Sequence, residues 1–385
     1  MSNDSKKRIL IIYDYFTPAY KAGGPIQSIT NMIRLLGEQY DFYVFARNID
    51  LDGTLLEVES DEWLSFEGKA RVFYASPGNT GYRGVSEIFC NINPDIVYIN
   101  GLFSFFSTVY PLLFNTIHAK RNRRVIIAPR GMFQEGALAL KATKKKYFLL
   151  FMKSLMKRKN IEWHATDEQE KRDIEREIGT KHKITIAGNV PAVVKSTKKR
   201  NFGGEDLRLV TIALVARKKN HLALLEVLRD YKGERKIVYD IYGPVKDEDY
   251  WRECLQVIDQ MPANVEVNYK GAIEPSLVTS VLSGYHCYVL PTFGENFGHS
   301  IFEAMAAGLP VIISDKTPWT DVKRRSAGWI VTLEDKKQLT DALEDLISLS
   351  LEELTKKGLV SKTIADDYLK GARLEERYER LFGRA

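Results

Sequence analysis

Cysteine is scarce in this chain: three in 385 residues, at positions 90, 254 and 287, an odd number spread far apart. That excludes a disulfide framework and a CxxC metal or redox centre, and it fits a reducing compartment. Long hydrophobic runs are missing too. None approaches the ~18–20 apolar residues of a membrane-spanning helix. The first apolar run, Ile9–Ile12, has Asp4 and Asp14 on its two sides, so it reads as a strand and not as a signal-peptide core. The expected location is therefore the cytoplasm, with room for peripheral contact with the cytoplasmic face of an inner membrane. No strand leads directly into GxGxxG and no P-loop occurs, which argues against a nicotinamide or flavin enzyme and against a P-loop nucleotidase. The six histidines (118, 164, 182, 221, 286 and 299) form no HxxxH pair, and no bound metal is expected.

What is present is an ordinary soluble composition, 44% hydrophobic and 28% charged, on a chain too long for one ordinary core. The formal charge of +6 is unevenly spread. Between His118 and Lys159 there are thirteen Lys and Arg against one acid, Glu135, so this window carries +12 and the remainder −6. Its centre, residues 141–160, holds eight Lys or Arg and no acid, interleaved with Phe148, Leu149, Phe151, Met152, Leu155 and Met156. That pattern suits an interfacial helix on an anionic membrane, and equally a core-packed helix with a solvated lysine face. No nucleic-acid reading motif accompanies the charge, so no nucleic-acid partner is expected.

Two series of short apolar runs alternate with helical patterns. The first contains KRILIIY, YDFYVFAR, ARVFYAS, DIVYIN and RVIIAP; the second contains LRLVTIAL, KIVYDIYG, VEVNYKG, HCYVLP, PVIISD and GWIV. Alternation of this kind predicts α/β domains with parallel sheets, whose ligands sit at the carboxyl ends of the strands. The polar stretch PAVVKSTKKRNFGGED (191–206) reads as the linker. We expect a first domain over 1–190 and a second over 191–365. A final helix, about 366–385, packs back on the first.

The richest stretch runs from His286 to Asp315: strand, glycine-bearing loop, short helix, glycine stop, strand. Gly294 and Gly298 let backbone approach a ligand, the helix N-terminus offers amides to an anion, and Glu295 and Glu303 can accept hydroxyl hydrogen bonds. The spacing Glu295-x7-Glu303 within GENFGHSIFEAMAAGLPVI resembles the signature of the retaining glycosyltransferases of family 4. The resemblance continues, in order, through AGGP (22–25), APRGMF (128–133), HATDEQE (164–170), RKKNH (217–221), DIYGP (240–244) and NYKG (268–271).

The resemblance implies a GT-B architecture, two Rossmann-like doubly wound domains facing across a cleft. The first would be on the acceptor side and the second would bind the nucleotide-sugar. It implies metal-independent, retaining transfer of a hexosyl-type sugar from a nucleotide diphosphate donor, expected to be a UDP-sugar, with no separate cofactor. The acceptor would be a saccharide or lipid-linked saccharide, as in cell-surface polysaccharide biosynthesis. Glu303 would hold the donor ribose and Glu295 the transferred sugar. Asn296, Phe297, Gly298 and His299 would cradle sugar and diphosphate, and Lys219 would contact the diphosphate. Gly23 and Gly24 would approach the phosphates, while Gly243 and Gly271 would lie near the nucleobase or ribose.

Two positions depart from the family pattern. Asn100 stands where a sugar-contacting histidine is common, and Leu214 where an arginine is usual. Asn100 is kept as a sugar contact, and Arg217 or Arg130 is expected to supply the missing cation to phosphate or acceptor. The same departures leave open a catalytically impaired subunit that serves as a binding or scaffold partner.

Overall fold

The computed structural model describes residues 6–118, 123–134, 142–156, 158, 160–192 and 206–383, without the side chains of 142–146. The expected linker core, 193–205, and part of the basic window, including Lys141, Lys157 and Lys159, therefore lie outside the described residues. The chain forms two units, Met1–Val190 with Arg373–Ala385, and Pro191–Ala372.

The first unit runs β1 (Arg8–Ile12), α1 (Gly24–Leu36), β2 (Asp41–Arg47), β3 (Trp63–Phe66), β4 (Ala70–Ala75), α2 (Tyr82–Ile92) and β5 (Ile96–Asn100). It continues with α3 (Tyr110–Ile117), β6 (Arg124–Ala128), α4 (Ala142–Met156), β7 (Ile161–Ala165), α5 (Glu168–Ile178) and β8 (Ile184–Ile186). Its sheet has the order β3-β4-β2-β1-β5-β6-β7-β8, parallel except for the hairpin edge β3. Residues Ile9–Ile12 and Ile96–Asn100 are essentially fully buried, as central parallel strands covered on both faces must be.

The second unit runs β9 (Leu207–Ile212), α6 (His221–Arg229), β10 (Ile237–Tyr242), α7 (Glu248–Ile258), β11 (Val265–Gly271), α8 (Val278–Leu282) and β12 (Cys287–Leu290). There follow α9 (His299–Ala306), β13 (Val311–Ser314), α10 (Asp321–Arg324), β14 (Gly328–Val331), α11 (Lys336–Ser348) and α12 (Leu351–Gly371). Its six parallel strands are ordered β11-β10-β9-β12-β13-β14, the doubly wound arrangement of a dinucleotide fold. In both sheets strand order reverses at one point, between β1 and β5 and between β9 and β12. Ligand sites of such sheets lie at the carboxyl ends of those strands.

The last helix, α13 (Leu374–Phe382), belongs to the first unit. Helix α12 continues unbroken to Gly371, so the break falls at Arg373, which takes a left-handed φ of 41°. Tyr378, Leu381 and Phe382 are fully buried against β1 and β2, and Arg124 donates to the carbonyls of Leu381 and Phe382 at 2.8 Å each. Phe382→Ala is expected to destabilise the first unit by about 3–5 kcal/mol, because the ring packs on Tyr40, Phe42 and Tyr98 and leaves a cavity. Urea unfolding should then show a lower midpoint for that unit alone.

Between β5 and α3 the chain makes a π-turn, Phe105–Val109. Pro111 sits in the first turn of α3, where its missing N–H costs nothing. Among the described residues no helix is long and apolar enough to cross a membrane.

Candidate active site

In the second unit the loop after β12 is stapled to its neighbours by backbone carbonyls. Phe293 N and Thr292 Oγ1 both donate to Lys218 O (2.8 and 2.9 Å), Ser314 Oγ donates to Thr292 O (2.5 Å), and Glu295 N donates to Lys316 O (3.0 Å). This fixes the turn that follows β9 against the loop that follows β12, which is the switch point of the sheet. Lys219 and Glu295 form an ion pair across it, with side chains only 20% and 12% exposed. Two residues 76 positions apart thus meet where the topology predicts a ligand.

Helix α9 begins at Gly298, whose φ of 74° and ψ of 64° place it in the left-handed region. An added Cβ would lie 2.9 Å from Ile301 Cδ1, a side-chain tip able to shift, so it is the left-handed backbone that favours glycine here. Gly298 supplies no side-chain cap to the first turn of α9, and a helix N-terminus of this kind suits an anionic group. The loop is held from behind by aromatics: Trp319 Nε1 donates to Phe297 O at 2.6 Å, and the Phe297 ring packs on His299, Phe302, Trp319 and Tyr368.

Glu303 lies one turn into α9 and is 6% exposed. Its carboxylate has no hydrogen-bond or ion-pair partner among the described residues, and burial pushes its pKa up to about 8. A buried carboxyl group without a partner is costly, and its survival points to a ligand that completes it. Both Glu295 and Glu303 lie near enough to the buried Tyr288 hydroxyl to help keep it protonated, which places the two acids in one region. That hydroxyl pairs with Ser300 Oγ at 2.7 Å.

Gly243 and Gly271 meet at the ends of β10 and β11, where Gly243 N donates to Gly271 O at 2.8 Å. A Cβ on Gly243 would stand 1.9 Å from Ala213 O, so strand packing alone demands glycine here. Arg217 turns away from the switch point. Its guanidinium binds Glu253 and lies over the Tyr250 ring at 5.4 Å, with Asp247 3.9 Å away. Leu214 O accepts from His221 Nε2 at 3.2 Å, and its side chain carries no charge. Lys219 is thus the cation held at the switch point by an acid of the loop itself. Arg217→Ala is expected to change nucleotide affinity by no more than about twofold, as for an exposed ion pair elsewhere. Calorimetry with UDP checks this.

In the first unit, Gly23 caps α1 with φ 78° and open space where a Cβ would be, and Gly24 opens the helix ahead of Pro25. Asn100 ends β5 fully buried, its Oδ1 accepting from Arg130 Nε at 2.7 Å while its Nδ2 has no partner. In this conformation no ligand atom reaches it.

Arg130, in a left-handed turn (φ 54°), also donates to Asn189 Oδ1 (2.7 Å) and Tyr98 Oη (2.8 Å), so three of its five N–H groups are committed within the unit. Tyr98 in turn meets His164 Nδ1 at 2.7 Å. His164 Nε2 donates to Ala187 O at 2.7 Å, and burial beside Arg130 pushes its pKa down to about 3, keeping the ring neutral. Glu170 holds the Arg130 turn in place, accepting from Gly131 N (2.6 Å), Thr166 N (2.8 Å) and Thr166 Oγ1 (2.6 Å).

Sequence reasoning assigned no role to Glu170, to Asn189 or to Asp14. The Asp14 carboxylate accepts from Ser104 Oγ (2.9 Å) and Ser107 Oγ (2.6 Å) at the β1–β5 switch point. The only available signal was position, just past the end of a strand.

Among the described residues no three His, Cys, Asp or Glu side chains gather as a metal site would. The two Asp-x-Asp triplets are spent locally. Asp50 accepts from Tyr20 N and Lys21 N, Asp52 pairs with Lys21, Asp247 caps α7 and Asp249 pairs with Arg252. A cavity of about 840 Å³ between α6 and α11 is lined by Leu222, Val227, Tyr231, Leu339 and Leu343, with Asn220 and Phe293 from the turn and loop of the site also on its wall.

Residues 194–358 match the family described as glycosyl transferases group 1. A curated relative, the GtfA subunit of UDP-N-acetylglucosamine–peptide N-acetylglucosaminyltransferase from Streptococcus pneumoniae, is 26% identical over 134 residues. The match takes in 34% of this chain and only a quarter of that protein's length. Sucrose-phosphate synthase from Thermosynechococcus elongatus superposes with a TM-score of 0.75 at 14% identity, over 98% of this chain and 99% of that one. Anabaena HepE, solved with UDP and glucose, gives 0.71 at 12% identity, over 97% and 99%. WaaG, a glycosyltransferase involved in lipopolysaccharide biosynthesis, gives 0.66 at 12% identity, over 93% and 95%. This chain has the GT-B fold, and its residues 194–358 are similar to the glycosyl transferases group 1 family.

Proposed function

We propose that this protein is a metal-independent, retaining glycosyltransferase that moves a hexosyl-type sugar from a UDP-sugar to a saccharide or lipid-linked saccharide in cell-surface polysaccharide biosynthesis. The observation that carries the reading is the buried, partnerless Glu303 beside a Lys219–Glu295 pair at the switch point. A ribose diol offers the two hydroxyl donors that one carboxylate can accept. The N-terminus of α9, with its positive dipole end, suits the negative charge of a diphosphate. Lys219 is a compact cation suited to the charge that builds on the departing phosphate. When phosphate takes the lysine, Glu295 is released to accept from hydroxyls of the transferred sugar.

With retention, the acceptor hydroxyl attacks from the face the nucleotide leaves. Its oxygen bonds to the anomeric carbon as the bond to the phosphate oxygen breaks, and that phosphate oxygen takes the hydroxyl proton. No side chain is assigned as base, so rate rests on positioning and on charge stabilisation. HepE, solved with UDP and with UDP-glucose, favours uridine among the nucleobases.

Calorimetry with UDP, GDP and ADP, followed by assays of UDP-sugar turnover, tests the reading. Absence of binding by all three would sink it. Binding without turnover with any sugar would favour the impaired-subunit reading, which Leu214 supports.

A further inference from the structure

Among the described residues of the first unit the exposed large apolar side chains are Leu55, Phe105, Ile117, Tyr147, Leu150 and Phe151, and three of these six lie on α4. Helix α4 buries Leu149, Met152 and Met156 in the core, with Phe148 and Leu155 partly covered. A helix with one face in a core should turn polar side chains outward. Instead Tyr147, Leu150 and Phe151, at i, i+3 and i+4, are 69%, 71% and 65% exposed. Phe105, 63% exposed at the start of the π-turn, extends the same surface: its ring lies 6.4 Å from that of Phe148, which in turn lies 5.5 Å from Phe103. Among the described residues the patch runs from the loop after β5 to the middle of α4, and none of them covers it. The segment that carries it, 141–160, has eight basic residues and no acid, while the chain outside the 118–159 window is net negative. Among the described residues, its Lys153 stands 4.0 Å from Glu177.

We infer that Phe105, Tyr147, Leu150 and Phe151 form a face that inserts shallowly into an anionic lipid surface, drawn there by the net positive charge of the 141–160 segment. Aromatic and aliphatic side chains backed by lysine are the chemistry of interfacial helices, and each basic residue near an anionic leaflet adds to the attraction. A second copy of the chain would bring the same positive charge against itself, and a soluble acidic partner would not need the four apolar side chains. Phe105 lies five residues beyond Asn100, so the face adjoins the carboxyl-end edge of the sheet where Asp14, Ser104 and Ser107 gather. On the reading of function given above, this surface would select an acceptor whose lipid anchor stays in the bilayer while its sugar end reaches that edge.

The test is co-sedimentation of the whole protein at about 0.15 M salt with vesicles of phosphatidylcholine alone, or with roughly one third phosphatidylglycerol. The double variant Leu150→Glu/Phe151→Ser and the single variant Phe105→Ser are compared with wild type. Wild type should bind the anionic vesicles at least about tenfold more strongly than the neutral ones, and the double variant should lose at least about tenfold. Equal binding to both vesicle types, or undiminished binding by the double variant, overturns the proposal. So does a wild-type dimer by light scattering that the double variant abolishes, since the face would then join two copies. UDP binding is measured on the same samples: its loss in all of them would count against the transferase reading, and its persistence without vesicle binding would count only against the lipid face.

Discussion

Replacing Glu303 by glutamine is expected to stabilise the second unit and to weaken nucleotide binding at once. In the folded chain burial raises this carboxyl group to about 8, from an ordinary value near 4.5. A group raised in this way binds its proton more tightly in the folded state. Below the unfolded value both states are protonated and stability is unaffected. As pH rises from about 4.5 towards 8, the unfolded chain releases the proton and the folded chain does not, so stability falls by about 1.4 kcal/mol per unit. Glutamine has nothing to release, so the difference between variant and wild type should be small near pH 5 and reach roughly 3–5 kcal/mol in the variant's favour at pH 8. Urea titrations of both proteins at several pH values measure that difference directly.

Binding should move the opposite way. If the ionised carboxylate accepts two ribose hydroxyls, wild-type affinity for UDP should rise by up to about tenfold per pH unit between 6 and 8 and then flatten. The variant's affinity should be independent of pH in that range and, at pH 8, about 10- to 100-fold weaker than wild type, the worth of a charged hydrogen bond or two. Wild-type affinity that ignores pH, or a variant that binds as well as wild type, would mean that Glu303 is an uncompensated core acid and not a ligand.

The parts of this molecule legible in the sequence are those set by neighbours in the chain. Buried parallel strands are continuous apolar runs, so β1, β5, β9 and β12 stand out, and the glycine stop after α9 marks its end. The Glu295–Glu303 spacing was equally visible, because loop and helix are contiguous. What was hidden depends on contacts between distant residues. Arg130 looks like a free cation beside a glycine, but Tyr98, Asn100 and Asn189, all distant in the chain, each accept one of its N–H groups. Arg217 resembles a phosphate ligand by proximity to Lys219, yet the 3-10 turn carrying both sends one side chain to Glu253 and the other to Glu295. The sequence of α4 mixes apolar and basic positions all round, and only packing shows which apolar residues are core and which remain outside.

Lys219→Met should produce the largest kinetic defect among the second unit's variants, and the split between kcat and KM identifies its cause. In the free protein Lys219 neutralises Glu295, which is nearly buried, so the methionine variant leaves that carboxylate with no opposite charge beside it. Removing one partner of such a pair is destabilising, whereas removing both is much less so. Lys219→Met/Glu295→Gln should therefore recover most of the midpoint lost by Lys219→Met alone.

Catalysis should not recover. If the ammonium acts on charge that appears only as the phosphate departs, Lys219→Met should lower kcat by about 10²–10³-fold with a much smaller change in KM, the mark of an interaction made chiefly in the transition state. Glu295→Gln, which keeps one hydrogen-bonding oxygen for the sugar, should leave UDP affinity within about threefold while lowering turnover of the intact donor. The double variant, stable but still slow, separates the structural role of the pair from its chemical one. Full recovery of kcat in that variant would show that Lys219 serves only to neutralise Glu295, and the leaving group would need another source of stabilisation.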